Sequence, residues 1–224
     1  MLLKRFDLGE TCPGFPEDDR LRFRQERCSI VLLVEHLLKS TPIVTEGVRK
    51  VFLELEQRDK PGLVVIDTAL SVDVVSSPFD FVQYFAADPG ERPAMLAIAS
   101  ESALETLACD REWSLDAIRG IFAKIREANY ELHADRAKAC RSPKGTKRAR
   151  VSYFVDREEF RIMVTVTGPM RSLLFQDTIY RDRPTAALCV HFTLGKPFWS
   201  SDKRLIVPFS GSNNPSGKLV VKIP

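Results

Sequence analysis

The segment RVSYFVDREEFRIMVTVTGPM, residues 150–170, constrains the fold more than any other part of the chain. Two β-branched, alternating runs flank a charged break at Asp156–Glu159. Alternation with a period of two sends successive side chains to opposite faces of an extended chain, whereas a helix needs spacings of three and four. A sheet is therefore expected here, with the break as its turn. Three further runs, AALCVHFTLG (186–195), RLIVPFSG (204–211) and KLVVKIP (218–224), are each bounded by Gly, Pro, Ser or Asn. Four or five strands with short turns predict a small barrel or sandwich.

The first half of the chain has a different rhythm. RLRFRQERCSIVLLVEHLLKS (20–40) lacks Gly and Pro and repeats apolar residues at Ile30, Val31, Val34, Leu37 and Leu38, the stripe of a helix that Ser40-Thr41-Pro42 stops. Residues 1–20 read as an irregular entry with a short strand at its start. The alternation from Val51 to Glu56, the turn residues Asp59-Lys60-Pro61-Gly62 and the apolar Leu63–Ile66 predict a hairpin. Ser76-Ser77-Pro78 has the form of a helix entry leading into FDFVQYF (79–85). Two more helices are expected over 92–108 and 113–130, the second capped by Ser114, with Ile118, Ile121, Phe122 and Ile125 on one face. A strand is expected near 129–133. The fold class is thus α+β: a helix-and-hairpin N-terminal half over residues 1–110, then a small β-rich, barrel-like domain over 111–224.

A hydrophobic fraction of 44% and a charged fraction of 28% belong to an ordinary globular chain. No apolar run approaches the length of a membrane span, and the N-terminus lacks the apolar core of a signal peptide, so a cytoplasmic or nuclear location is expected. Five scattered cysteines without a CxxC pair, and three histidines without ligand spacing, point away from a disulfide framework or a metal site. No cofactor is expected.

Charge is distributed unevenly. Residues 136–150 hold seven cations and no acid. Removing those seven from the chain's 33 leaves 26 cations against 30 acids, so the small net charge of +3 hides a local positive patch. Arg141, Lys144, Lys147, Arg148 and Arg150 could contact phosphates, because Lys and Arg displace counterions from a nucleic-acid backbone. Tyr153 beside them, and Trp199 with Lys196 in GKPFWSSDKR, could stack bases and hold phosphate. Tyr153 and Phe154 are adjacent in a strand, so only one of them can face a ligand on a given side. Three alternatives stand beside this reading: a solvated loop, an import signal in KGTKRAR, and a Trp199 that packs back on its own domain. Asp67 and Asp73 could serve a metal or act as a base, or simply cap turns. Cys189 and His191 share one face of an expected strand, yet no third group orients them for nucleophilic catalysis. The glycines of FSGSNNPSGK lack phosphate-loop spacing and read as a turn.

One segment carries a family likeness. EGVRKVFLELEQRDKPGLVVIDTALSVDVVSSPFDFVQYF (46–85) resembles the first linker segment of eukaryotic Argonautes, in which Arg49, Phe52, Leu63, Ile66, Asp67 and the helix Phe79–Phe85 fall in step. It departs from that pattern at Val48-Arg49-Lys50 and at Leu53-Glu54. The resemblance implies a following PAZ-like domain that holds the end of a guide RNA. It also implies that a chain of this length lacks the domain that carries the cleaving carboxylates. The function expected is non-catalytic binding of single-stranded or small RNA in RNA-mediated silencing, with a protein-interaction module as the alternative.

Overall fold

The computed structural model describes residues 1–58, 62–136, 138–189, 193–210, 214 and 216–224. The fold is α+β, and the chain divides into two compact units, Met1–Glu131 and Leu132–Pro224.

In the first unit, β1 (Arg5–Thr11) leads through α1 (Glu17–Leu37) to β2 (Lys50–Glu56), then to β3 (Val64–Ala69) and β4 (Val72–Pro78). The sheet order is β1-β2-β4-β3, with β1, β2 and β4 parallel and β3 antiparallel at the edge. The alternation in β2 buries Val51, Leu53 and Leu55 on one face, beside Phe6 and Leu8 of β1 and Val75 of β4. Three acids in the first turn of α1 complement the positive end of its dipole. α2 (Phe81–Ala86), α3 (Arg92–Arg111) and α4 (Leu115–Glu127) complete the unit. Ser114 caps α4 as expected, its hydroxyl accepting from the Ala117 amide at 3.2 Å, and the predicted stripe Ile118, Ile121, Phe122 and Ile125 is fully buried.

Two expectations for this unit shift. The hairpin lies one strand further along: β3 pairs with β4 through the turn Leu70-Ser71, whose two residues both have positive φ, while β2 pairs with β1 and β4. Neither turn residue is the Gly or Asn that usually marks such a turn. Of the expected turn, Asp59–Pro61 lies outside the described residues. Ser76-Ser77-Pro78 ends a strand instead of starting a helix. The strand opened by Val72, Val74 and Val75 extends to Pro78, which is tolerated as a terminal strand residue. The helix begins later, capped by the Asp80 carboxylate, which accepts from the Gln83 amide at 2.9 Å.

Inside the unit, Glu26 of α1 and Arg92 of α3 form a buried ion pair at 3.2 Å, and the Tyr84 hydroxyl of α2 donates to Glu26. On β1, Gly9 lies against the ring of Phe52; a Cβ there would stand 2.7 Å from Cζ. β3 is exposed along its whole length, including Val64, Val65 and Ile66.

The second unit comprises β5 (Leu132–Asp135), β6 (Cys140–Arg141), β7 (Arg148–Val155), β8 (Phe160–Thr167), β9 (Leu173–Asp182), β10 (Phe198–Ser201), β11 (Arg204–Pro208) and β12 (Lys218–Lys222). β5-β7-β8-β9, with β6 also paired to β7, form one antiparallel sheet, and β10-β11-β12 form another. The Asp156–Glu159 turn joins β7 to β8, as the charged break predicts. One core serves both sheets: the Phe209 ring lies 4.6 Å from that of Tyr180, and Phe160 joins them. Within AALCVHFTLG, the strand expectation fails over the described part. Pro184–Cys189 form a 3-10 helix, started by a proline that lacks the amide a strand needs. Val190–Phe192, including His191, and the Cys189 side chain lie outside the described residues.

The observed boundary falls after Glu131 rather than after residue 110, because α4 belongs with the first unit. Its Arg119 and Arg126 reach Glu105 and Glu101 of α3, each at 2.6 Å.

Candidate nucleic-acid interface

The basic stretch is a folded hairpin. Between β6 and β7 the Ser142 amide donates to the Lys147 carbonyl at 2.9 Å, and the Gly145 amide donates to Ser142 at 2.8 Å. Gly145 has a φ of +73°, which its missing Cβ permits. KGTKRAR is therefore a turn running into a strand.

Strand alternation then sorts the side chains. Ala149, Val151, Tyr153 and Val155 of β7 point into the core, as do Phe160, Ile162, Val164 and Val166 of β8. The other face carries Arg148, Arg150, Ser152 and Phe154 of β7 opposite Thr167, Thr165, Met163 and Arg161 of β8. Arg141 of β6 stands directly across from Arg148. Arg141, Arg148 and Arg150 thus form one exposed cluster at one end of this face, with Thr165 and Thr167 half-buried beside them. Asp135 of β5 pairs with Arg150 at 3.5 Å. Among the described residues, Arg141 and Arg148 have no acid within ion-pair distance.

At the other end of the face the Arg161 guanidinium lies 4.0 Å over the Phe154 ring. The exposed His133 meets the same ring edge-on at 4.8 Å. Glu159 holds Arg161 at 2.9 Å and Arg181 of β9 at 3.2 Å. The face therefore holds five arginines and two acids, with the neutral side chains Ser152, Met163 and Thr165 between its ends.

The other expected contacts are dispersed. Tyr153 is 2% exposed on the core side of β7, so the stacking role expected of it is corrected: it is a core residue. Lys144 and Lys147 sit in the turn. The Lys144 ammonium is 4.0 Å from Asp202, and that of Lys147 donates to the Pro224 carbonyl at 2.7 Å. Trp199 is half-buried, its indole N–H donating to the Cys140 carbonyl at 3.2 Å. Cys140 precedes Arg141 in β6, so alternation turns their side chains to opposite faces, and Lys196 is exposed. Burial pushes the Cys140 thiol up, and Trp199 and Lys196 only partly offset this.

The residues that reasoning from the chain passed over are Arg161 and Arg181. Each is a lone cation in a strand, so no cluster marked it. The alternation of β8, read for its outward positions Arg161, Met163, Thr165 and Thr167, is the signal that finds the first of them.

The remaining candidates have structural places. Asp73 is buried near the start of β4, accepting from Thr68 at 2.9 Å and pairing with Arg111 at 3.4 Å, while Asp67 is exposed on β3. Among the described residues there is no group of three His, Cys, Asp or Glu side chains placed to hold a metal ion, and no helix is long and apolar enough to cross a membrane.

No family model, curated protein or solved structure matches this chain.

Proposed function

We propose that the chain holds single-stranded RNA, of the small guide type, on the outer face of β6–β9, without cutting it. The observation that carries this reading is the cross-strand pair Arg141–Arg148, with Arg150 beside it. Like charges directly opposite one another in a sheet repel, at a cost of some tenths of a kcal/mol, and a phosphate between them removes that cost. The neutral hydroxyls of Thr165 and Thr167 beside the arginines suit a sugar–phosphate backbone. The Argonaute relationship remains a proposal. Its segment, residues 46–85, is folded as β2, β3, β4 and α2, and the RNA reading rests on the second unit instead.

Titration of a labelled short RNA at two salt concentrations tests the reading. Affinity should fall as salt rises. Changing Arg141, Arg148 and Arg150 to Gln should lower the log–log salt slope by up to about 2, at roughly 0.7 per phosphate contact on a single strand. Affinity that ignores salt, or no affinity at all, ends the proposal.

A second reading has its own observation. β3 is an edge strand with Val64, Val65 and Ile66 exposed, a surface that a partner's strand could extend. A protein partner whose capture is abolished by Ile66→Lys and unaffected by the three Gln substitutions would favour it.

A further inference from the structure

We infer that the Arg161 guanidinium is the seat of an unpaired nucleobase, so that the ligand is recognised as a single strand by stacking as well as by charge; this rests on the nucleic-acid reading above. A guanidinium is flat and presents a stacking face to a base. At Arg161 the group is held in advance. Its central carbon lies 4.0 Å over the Phe154 ring, Glu159 holds the cation at 2.9 Å, and His133 buttresses the ring from its edge. Phe154 is only 6% exposed, so it supports the guanidinium and is itself unavailable to a ligand. Arg161 keeps 27% of its side chain exposed.

The surroundings fit a nucleotide. Arg181 stands cross-strand from Arg161 with 64% of its side chain exposed, in reach of a phosphate flanking the stacked base. Along β7, Phe154 lies four residues from Arg150, roughly 13 Å at strand rise. An extended strand of a few nucleotides covers that distance, with its backbone passing Ser152 and Thr165 toward the arginine cluster. A duplex cannot use the seat, because its bases already stack on one another.

The experiment uses the full chain. Wild type and Arg161→Lys are titrated with a short single-stranded RNA carrying 2-aminopurine, and with inorganic polyphosphate. Lysine keeps the charge and loses the plane. Arg161→Lys should bind RNA about tenfold more weakly, lose the 2-aminopurine fluorescence change that wild type produces on binding, and bind polyphosphate as wild type does. Unchanged RNA binding, or equal losses for both ligands, overturns the inference. Thermal melting checks that the variant folds. Should it not fold, wild type is titrated with RNAs carrying one abasic site at successive positions: a tenfold loss at one position supports the seat, and a flat series overturns it. Wild type that binds polyphosphate and RNA equally overturns this inference alone. Wild type that binds neither overturns the nucleic-acid reading beneath it.

Discussion

A single buried group ties three helices together. Glu26 of α1 accepts from Tyr84 of α2 and pairs with Arg92 of α3, all out of water. Burying charge is costly unless it is paired and hydrogen-bonded, and removing one partner strands the other. Arg92→Met should therefore lower stability by about 3–5 kcal/mol in urea unfolding. Replacing Glu26 and Arg92 together by Leu and Met should recover only part of that loss: no orphan charge remains, but the buried Tyr84 hydroxyl loses its acceptor. The same scale explains the thiols. Burial pushes Cys12 and Cys140 up, and Cys28 up to about 12, which keeps them protonated near neutral pH, while Cys109 is exposed.

At the scale of strands and helices, Gly9 is set by its neighbour. The tip of the half-buried Phe52 ring occupies the place of a side chain but can turn aside, so Gly9→Ala should cost no more than about 1 kcal/mol, the low end of an overpacking penalty. Phe52→Leu in the same chain should return part of it, a coupling that a double-mutant cycle in urea measures. Elements with a strong period were legible in advance: α4, β7 and β8 follow their apolar spacings because one face of each enters a core, while α1 was legible as a helix but is buried all round from Cys28 to Val34, not along one stripe. Pairing was less legible. β2 pairs in parallel with two strands distant in sequence, and the β3–β4 turn uses Leu70 and Ser71 where a marker residue is usual. Of the site, the charge run Arg141–Arg150 could be read directly. The Arg161–Phe154 stack could not, because it depends on the register between two strands.

At the scale of the whole molecule, the second unit has its own core and carries every residue assigned to RNA. A fragment of residues 132–224 should melt cooperatively and keep RNA affinity within a few-fold of the full chain, with circular dichroism and the same titration as the checks. If binding instead follows the first unit, the arginine face is not the interface. That face also brings its own anions: Asp135 sits on Arg150, and Glu159 bridges Arg161 and Arg181. A phosphate arriving at these sites still sheds the cations condensed on the RNA, but it also evicts a carboxylate that stays leashed nearby and keeps its charge. The net positive charge offered to the strand is then smaller than the number of arginines. The hold in dilute buffer is looser than five bare arginines would give, and it fades more slowly as the medium grows saltier.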